Sequence, residues 1–318
     1  MTLYPLVLQP ALHVKVWGGR RLATALAKPL PDDRPYGESW EMHDTATVVN
    51  GPLSGQSLGS LLAQYGAALI GPNHDPAAGL PLLVKFLDAA DWLSVQVHPD
   101  DEQARELEGD PRGKTEAWYI VAAQPGAQLV IGIRPGTQPE VVAAAIQDNT
   151  LEDLLVYADV SPGDVLFIPA GTIHALGPGL LLYEIQQSSD MTYRLYDWGR
   201  MGLDGKPRPL HIEKGVTVSN LDALPPIKHT GQNTLPVVDI VQSAFFTTLL
   251  YQLNPRNGTR ITLDTCGTHF HILTSLTGDI KIAVEDNMVP LAAGQTALIP
   301  ASLGVYTLSG TGRVLRSF

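Results

Sequence analysis

The stretch GDVLFIPAGTIHAL (163–176) has a second, weaker copy later in the chain, GQTALIPASLGVYT (294–307). Each copy reads glycine, five residues, then Pro-Ala, and the two begin 131 residues apart (294 − 163). An upstream pair repeats in the same way, since WYIVAAQPG (118–126) and FHILTSLTG (270–278) are both strand-like runs closed by glycine. Two strand–turn motifs that each occur twice, in the same order, predict two related β-barrels.

The members of the upstream pair are 152 residues apart (270 − 118), whereas those of the downstream pair are 131 apart. The first copy therefore has about 21 more residues between its two motifs than the second copy has (152 − 131). We assign these residues to a helical insertion at 137–158.

Helix-like periodicity occurs at 57–71, 100–109, 139–149 and 151–158. Apolar runs bounded by turn residues predict strands within 82–98, 116–123, 163–170, 180–186 and 294–301. The expected fold is mainly β, with two jelly-roll barrels and a small helical insertion. A proline-rich linker at 221–236 divides the chain into residues 1–222 and 223–318.

Composition limits the classes of protein that this chain can represent. Its 318 residues are 44% hydrophobic and 17% charged, which is enough apolar material to exclude disorder throughout. The formal net charge of −11 argues against a general binder of nucleic acid or anionic membranes. The single cysteine, Cys266, excludes an internal disulfide, and no export or membrane segment is evident. We therefore expect a cytoplasmic protein that binds neither nucleic acid nor membranes, and that needs a local cluster of cations for any anionic ligand.

Four polar residues on or beside the predicted strands of the first barrel form a candidate metal site. Gln96 and His98 share one strand face, Glu116 begins a later strand, and His174 follows the turn in IPAGTIH. Two imidazoles, a carboxylate and an amide oxygen that converge in a small cupin-like barrel suit a divalent metal. Zinc, iron and manganese all accept such a set.

The second barrel lacks the same set. The two spacings place Val305 (294 + 11) at the position of His174, and Thr268 (116 + 152) at the position of Glu116. The HxH pair at 269–271 is nearby, but histidines in such strands are more often surface or core residues than ligands. One metal per chain, in the N-terminal barrel, is therefore predicted.

Several segments occur in the order typical of one enzyme family. They are VWGG (16–19), GESWE (37–41), LLVKFLDAADWLSVQVHPDD (82–101), GKTEAWYI (113–120), GTIHAL (171–176) and YEIQQSSDMTYRLYDWGR (183–200). Together they resemble type I mannose-6-phosphate isomerase in its short bacterial form. The resemblance implies paired cupin barrels and one zinc ion bound by Gln96, His98, Glu116 and His174. It also implies that Arg194 is the essential active-site arginine.

The reaction implied by the resemblance interconverts mannose 6-phosphate and fructose 6-phosphate through a cis-enediol, and it requires a general base near C1 and C2. Glu184 is the first candidate, because apolar surroundings raise the pKa of a carboxylate toward neutrality. An alternative role for Glu184 is to orient a ligand histidine. Lys114 and Asp190 are further candidates near the same motifs.

Binding of the substrate phosphate requires cations in an otherwise acidic protein. The candidates nearest the motifs are Lys85, Lys114, Arg194 and Arg200. Trp17 and Trp40 are candidates for a wall of the sugar pocket, although core packing is the commoner role of such residues. We predict that Lys85, Asp190 and Trp17 contact the substrate.

Two other functions remain open at this point. Two histidines and one carboxylate also form the metal set of Fe(II) dioxygenases, although Gln96, Lys114 and Arg194 together suit a phosphorylated sugar better. A non-catalytic sugar-binding protein with the same pocket is the second alternative. The sequence also leaves open which metal is bound and whether the protein is a monomer or a homodimer.

Overall fold

The computed structural model describes residues 2–254 and 260–318 of the chain. The strands within these residues are β1 (Leu6–Gln9), β2 (Ala11–Gly19), β3 (Tyr36–Met42), β4 (Thr47–Val48), β5 (Leu82–Ala89), β6 (Val95–Val97), β7 (Glu116–Ala123), β8 (Gln128–Ile133), β9 (Leu155–Asp159), β10 (Asp164–Ile168), β11 (Ala175–Leu176), β12 (Leu180–Gln187), β13 (Tyr193–Tyr196), β14 (Ile227–His229), β15 (Val237–Gln242), β16 (Thr247–Leu253), β17 (Ile261–Asp264), β18 (His271–Val284), β19 (Asn287–Ala292), β20 (Thr296–Ile299) and β21 (Val305–Ser317). The α-helices are α1 (Arg21–Leu26), α2 (Leu58–Tyr65), α3 (Ala67–Ile70), α4 (Asp101–Glu108), α5 (Pro139–Gln147) and α6 (Ile212–Val218). Among the described residues, no helix has the length and apolar composition that a membrane span requires.

Antiparallel sheets dominate the described part of the chain, which confirms the prediction of a mainly-β fold. One seven-stranded sheet has the order β14-β10-β7-β12-β5-β2-β3, and two small sheets, β11-β8-β9 and β13-β6, accompany it. Trp118 and Leu182 of the large sheet share an apolar core with Leu129 and Leu176 of a small one. A nine-stranded sheet contains β15-β16-β21-β18-β20-β1-β4, with β17 beside β21 and β19 beside β18.

The repeated motif predicted from the sequence corresponds to the same local structure in both sheet systems. Gly163 and Gly294 have φ angles of 91° and 79° and lead into β10 and β20. A β-carbon on Gly294 would lie 2.0 Å from the carbonyl oxygen of Leu26, so the second copy requires glycine here for space as well as for conformation.

Strand register corrects one expected equivalence between the two copies. Ile168 of β10 pairs with Glu116, and Ile299, at the same place in the second copy, pairs with His271. His271 rather than Thr268 therefore corresponds to Glu116. The constant spacing of 152 residues fails because the glycine used to align the copies lies at different distances from the paired positions: Gly126 is ten residues after Glu116 (126 − 116), and Gly278 is seven after His271 (278 − 271).

The helix predictions hold in part. The segment 57–71 forms two helices because Gly66, with φ of 50°, interrupts it. The helix predicted at 100–109 is α4, which begins with a capping box formed by Asp100 and Gln103. The helix predicted at 151–158 is wrong beyond the 3-10 turn Leu151–Leu154, because the following residues form β9. Pairing with β8 satisfies the backbone of β9, and this outweighs the local apolar spacing.

Two short strands from the first fifty residues belong to the nine-stranded sheet. Strand β1 pairs with β20 of the second repeat and with β4. The beginning of the chain is thus built into the sheet of its C-terminal part. The division into residues 1–222 and 223–318 remains a prediction.

A buried ion pair joins the beginning of the chain to the second copy of the repeat. Lys28 Nζ lies 2.6 Å from Glu41 Oε2 and also donates to the carbonyl of Gly294. The hydroxyls of Ser39 and Thr296 donate to the same carboxylate, at 2.6 and 3.1 Å. Both charged side chains are at most 5% exposed, so neither charge has water as an alternative partner.

We expect Lys28→Met to lower the free energy of unfolding by about 3 kcal/mol, because it leaves the Glu41 carboxylate buried without its cation. Adding Glu41→Gln should recover part of this loss, since the amide still accepts from Ser39 and Thr296. Urea unfolding followed by tryptophan fluorescence measures both effects. Arg34→Met, which breaks an exposed pair with Asp32, is the control and should leave the midpoint nearly unchanged. A Lys28→Met midpoint equal to that of the parent would contradict the assignment.

Candidate metal centre and active site

One wall of the site is a short antiparallel ladder centred on Gln96 of β6. Gln96 pairs with Arg194 of β13 on one side and forms an isolated bridge with His174 on the other. Side chains directly opposite each other in an antiparallel pair project to the same face. Arg194, Gln96 and His174 therefore occupy neighbouring positions on one wall.

The facing wall belongs to the seven-stranded sheet. Glu184 of β12 lies opposite Lys85 of β5 on one side and opposite Trp118 of β7 on the other. Glu116 begins β7, two residues before Trp118, and therefore shares its face. The acidic and basic residues of the site are thus placed by sheet register rather than by a single loop.

Three potential metal ligands converge between these walls. One ligand atom from each of His98, Glu116 and His174 lies within 4.8 Å of the others, and all three residues are buried. His174 Nε2 is 3.1 Å from Glu116 Oε1, and His98 Nε2 is 3.7 Å from Glu116 Oε2. Gln96 completes the group, since its amide lies 3.2 Å from His174 Nε2.

Backbone carbonyls orient both imidazole rings. His98 Nδ1 lies 2.8 Å from the carbonyl oxygen of Met191, and His174 Nδ1 lies 2.9 Å from that of Thr172. A carbonyl only accepts, so each Nδ1 carries a proton and each Nε2 faces the centre of the cluster, where a neutral ring offers a lone pair to a metal. This arrangement is typical of histidines that bind metals.

The donor set fits a divalent cation. Burial, followed by the charge of Lys114, holds the pKa of His98 well below its usual range, so this ring is neutral at pH 7. Burial alone would raise the pKa of Glu116, but the Lys114 ammonium and the two neighbouring imidazoles outweigh it and hold that pKa well below its usual range. Within the described residues, neither oxygen of Glu116 has an aligned hydrogen-bond donor. Converging lone pairs around a buried carboxylate are compensated by a bound cation.

A close backbone approach brings Lys114 to this cluster. A β-carbon on Gly113 would lie 2.3 Å from the backbone of Asp100, so only glycine lets the two segments pass. Next to it, the Lys114 N–H donates to the carbonyl of Pro99 at 2.9 Å. The Lys114 ammonium then lies 2.9 Å from Glu116 Oε2 and 3.1 Å from His98 Nε2.

Glu184 and Lys85 form a second buried charged group beside the ligand cluster. Lys85 Nζ is 3.4 Å from Glu184 Oε1 and 3.6 Å from the more exposed Asp190. Burial, together with the charge of Glu116, raises the pKa of Glu184 in spite of Lys85. Burial acts to lower the pKa of Lys85, but the charges of Glu184, Glu38 and Asp190 outweigh it and raise the pKa. Trp118 Nε1 donates to Glu184 at 2.8 Å.

The cluster of His98, Glu116 and His174 contacts Lys114 and Gln96. Together with Lys85 and Glu184, these two residues line one cavity of about 270 Å³. Its walls contain the predicted residues Trp17, Lys85, Gln96, Lys114, Glu184, Asp190 and Arg194. Arg200 does not line it, although it was a candidate for phosphate binding. The prediction also missed Lys15 and Arg208, which do. Neither lies in a motif of the first repeat, and Arg208 reaches the cavity only because the chain folds back after β13.

Arg194 has no carboxylate partner among the described residues: Asp190 pairs with Lys85, and Asp197 pairs with Arg200 and Arg208. Its Nη1 donates to the carbonyl of Pro209 at 2.9 Å, and its buried Nε is unpartnered within the described part of the chain. Most of its donors are therefore available to a ligand in the cavity.

The second sheet system contains no comparable cluster of ligands within the described residues. His271, at the position of Glu116, is buried and hydrogen-bonded through Nδ1 to Tyr306 Oη at 2.8 Å. His269 and Val305 are exposed. The HxH pair is thus divided between the core and the surface.

Comparison with known proteins gives a consistent result along the chain. Residues 6–119 match the catalytic domain of type I phosphomannose isomerase, and residues 238–318 match the cupin domain of mannose-6-phosphate isomerase. A probable mannose-6-phosphate isomerase of Bacillus subtilis, GmuF, is 34% identical, with 97% of each chain covered. The mannose-6-phosphate isomerase of Streptococcus mutans is also 34% identical, with 98% of each chain covered.

A solved structure agrees with these matches. The crystal structure of mannose 6-phosphate isomerase from Bacillus subtilis superposes with a TM-score of 0.89 at 30% identity, covering 99% of this chain and all of the other. The likeness thus extends over both sheet systems. On this extent of similarity, the chain belongs to the type I phosphomannose isomerase family.

Proposed function

We propose that the protein interconverts mannose 6-phosphate and fructose 6-phosphate through a cis-enediol, with one zinc ion per chain. The observation that carries this proposal is the buried group His98, Glu116 and His174, whose Nε2 atoms and carboxylate converge. The group contacts Lys114 and Gln96, which line a cavity that contains further cationic side chains. The names of the relatives supply mannose 6-phosphate and isomerisation as the substrate and the type of reaction. The choice of zinc, cytoplasmic residence and a monomeric or homodimeric state remain predictions.

Gln96, His98, Glu116 and His174 would hold the metal. When bound, a divalent metal supplies a positive charge that stabilises negative charge developing on the substrate oxygens. The protein contributes rigidity, because backbone carbonyls fix both imidazoles before any metal arrives.

Glu184 is the proposed general base that moves the proton between C1 and C2. It is buried, lines the cavity and has a raised pKa, which brings a carboxylate closer to the pH at which it can take and return a proton. The alternative role, orienting a ligand histidine, lacks support, because both Nδ1 atoms bond to backbone carbonyls instead. Trp118 and Lys85 hold the carboxylate in place.

Lys114 and Arg194 supply positive charge from the chain itself. Lys114 lies at the ligand cluster, where its ammonium can donate to the oxygens on C1 and C2. Arg194 is the neighbour of Gln96 on the same wall and is always charged at working pH. We assign it to stabilisation of the enediolate. Trp17, Lys85 and Asp190 line the cavity as substrate contacts.

His174→Ala should abolish both metal binding and isomerase activity, because it removes one of three converging ligands. Elemental analysis of the purified protein measures metal per chain, and a coupled assay with fructose 6-phosphate measures turnover. His269→Ala, which removes an exposed histidine of the second sheet system, is the matched control and should retain one metal. Full metal content in His174→Ala, or two tightly bound metals in the parent, would contradict the assignment. Oxygen consumption by the iron-loaded protein would instead favour a dioxygenase.

Isomerisation in heavy water should place deuterium at the carbon next to the carbonyl of the product, because Glu184 exchanges its proton with solvent between abstraction and return. Incorporation is expected to be incomplete, since the buried carboxylate returns some protons before exchange. Proton NMR of the product measures the label. No deuterium after prolonged equilibration would indicate a hydride shift and remove the base from the mechanism.

Arg194→Ala should lower kcat by roughly 10²-fold or more, the effect typical of removing one electrostatic stabiliser, while metal content and melting temperature stay near those of the parent. Arg194→Lys should recover only part of the lost kcat, because lysine lacks the planar guanidinium group that donates two hydrogen bonds side by side. Steady-state kinetics and elemental analysis provide the two readouts. A kcat within about threefold of the parent would rule out the catalytic role, and loss of the metal would make the residue structural.

A further inference from the structure

The segment that follows β13 folds back along it and delivers Arg208 to the cavity. Met201 and Pro207 form a bridge that closes a small hairpin, with the Gly202 N–H donating to the carbonyl of Lys206 at 2.8 Å. The chain then runs beside Arg194. The His211 N–H donates to the Arg194 carbonyl at 2.8 Å, and the Arg194 N–H donates to His211 Nδ1 at 3.0 Å.

These contacts extend the wall of the cavity by one more segment. In lateral order the wall contains His174, Gln96, Arg194 and then residues 208–211. Neighbouring strands lie about 4.8 Å apart, so the added segment is roughly 10 Å from the strand of Gln96. Gln96 and Arg208 nevertheless line the same cavity. The cavity therefore has a metal-ligand end and an Arg208 end.

Two hydrogen bonds to Asp197 fix the position of Arg208 and leave other N–H donors of its guanidinium group unpaired within the described residues. Its Nε donates to Asp197 Oδ2 at 2.7 Å, and its Nη2 donates to Asp197 Oδ1. Asp197 is buried and is also bound by Arg200. Within the described residues, Nη1 of Arg208 has no hydrogen-bond partner. A guanidinium fixed along one edge in this way is preorganised to bind an anion with its remaining N–H groups.

Positive charge is in excess at this end of the cavity. The three lysines of the cavity are each matched by a carboxylate of the site, in the pairs Lys15–Glu38, Lys85–Glu184 and Lys114–Glu116. Arg194 has none, and Arg208 shares its only carboxylate among the described residues, Asp197, with Arg200, which also pairs with Asp91. Burial and the charge of Arg208 lower the pKa of Arg194, which indicates that the two guanidinium groups are close. A dianion at this position would relieve the repulsion.

We propose that Arg208, positioned by Asp197, binds the phosphate group of the substrate. This inference rests on the proposed function, because an open-chain hexose 6-phosphate carries its reacting carbons at one end and its phosphate at the other. With C1 and C2 at the ligand cluster, the phosphate reaches the Arg208 end. Arg208, rather than the paired lysines, then determines selectivity for phosphorylated sugars.

The test is Arg208→Ala in the zinc-loaded protein, assayed with mannose 6-phosphate and with unphosphorylated mannose. Loss of one hydrogen-bonded charge contact should raise KM for mannose 6-phosphate about 10- to 100-fold, with kcat within about threefold. The kcat/KM for mannose should stay within about twofold, since that sugar has no phosphate.

Arg208→Lys should have a KM between those of Arg208→Ala and the parent. Lys206→Ala, which removes an exposed lysine of the same hairpin, is the charge-matched control and should leave KM within about twofold.

Asp197→Asn tests the positioning role separately. It keeps the size of the side chain but weakens its hold on Arg208, so KM for mannose 6-phosphate should rise about fivefold or more without a change in kcat. A purely structural role would instead lower the melting temperature and kcat together, leaving KM unchanged, and would overturn this part of the proposal.

Binding of inorganic phosphate, measured by calorimetry, separates this inference from the proposed function. Arg208→Ala should weaken phosphate binding at least tenfold whether or not the parent isomerises mannose 6-phosphate. A parent without isomerase activity would refute the proposed function. An Arg208→Ala variant that keeps the parent KM and phosphate affinity would overturn the role of Arg208 and leave the isomerase assignment intact. If Arg208→Ala fails to fold, Arg208→Lys decides between the same outcomes.

Discussion

The carboxylate of Glu116 is fully buried, and the site is organised around the need to compensate its charge. Two imidazoles converge on it through their Nε2 atoms, since their Nδ1 protons are already committed to the carbonyls of Met191 and Thr172. Lys114 supplies one positive charge, at 2.9 Å. Burying a carboxylate without a compensating charge costs free energy, so this cluster is suited to bind a cation.

Sheet pairing gives the site its precision. Gln96 sits between Arg194 and His174 on one wall, while Lys85 and Glu184 face it from the other, each fixed by backbone ladders rather than by flexible loops. A shift of one residue in any of these strands would turn the side chains to the opposite face. The same ladder that aligns Gln96, a candidate ligand, therefore also aligns the arginine proposed for catalysis.

The two sheet systems have diverged around a shared strand–turn unit. In the first, the residue paired with the last isoleucine of the motif is Glu116, and in the second it is His271. His271 is closed off by Tyr306, and burial lowers its pKa to about 3, so it is a neutral core residue. The second system instead contacts the beginning of the chain: β1 pairs with β20, and Lys28 of the buried Lys28–Glu41 pair donates to the carbonyl of Gly294.

The sequence alone determined the mainly-β class, the repeat and the identity of the candidate ligands, because alternation, glycine-closed turns and polar residues at strand ends are local patterns. It did not determine that 155–159 is a strand, since that depends on pairing with β8. Nor did it distinguish His271 from Thr268, because the glycines that align the two copies lie at different distances from the residues that pair with Ile168 and Ile299. Only the tertiary structure separated Arg208 from Arg200, as each lies in a polar segment of similar composition. What differs is the direction of the chain after β13, which brings one guanidinium into the cavity and leaves the other outside.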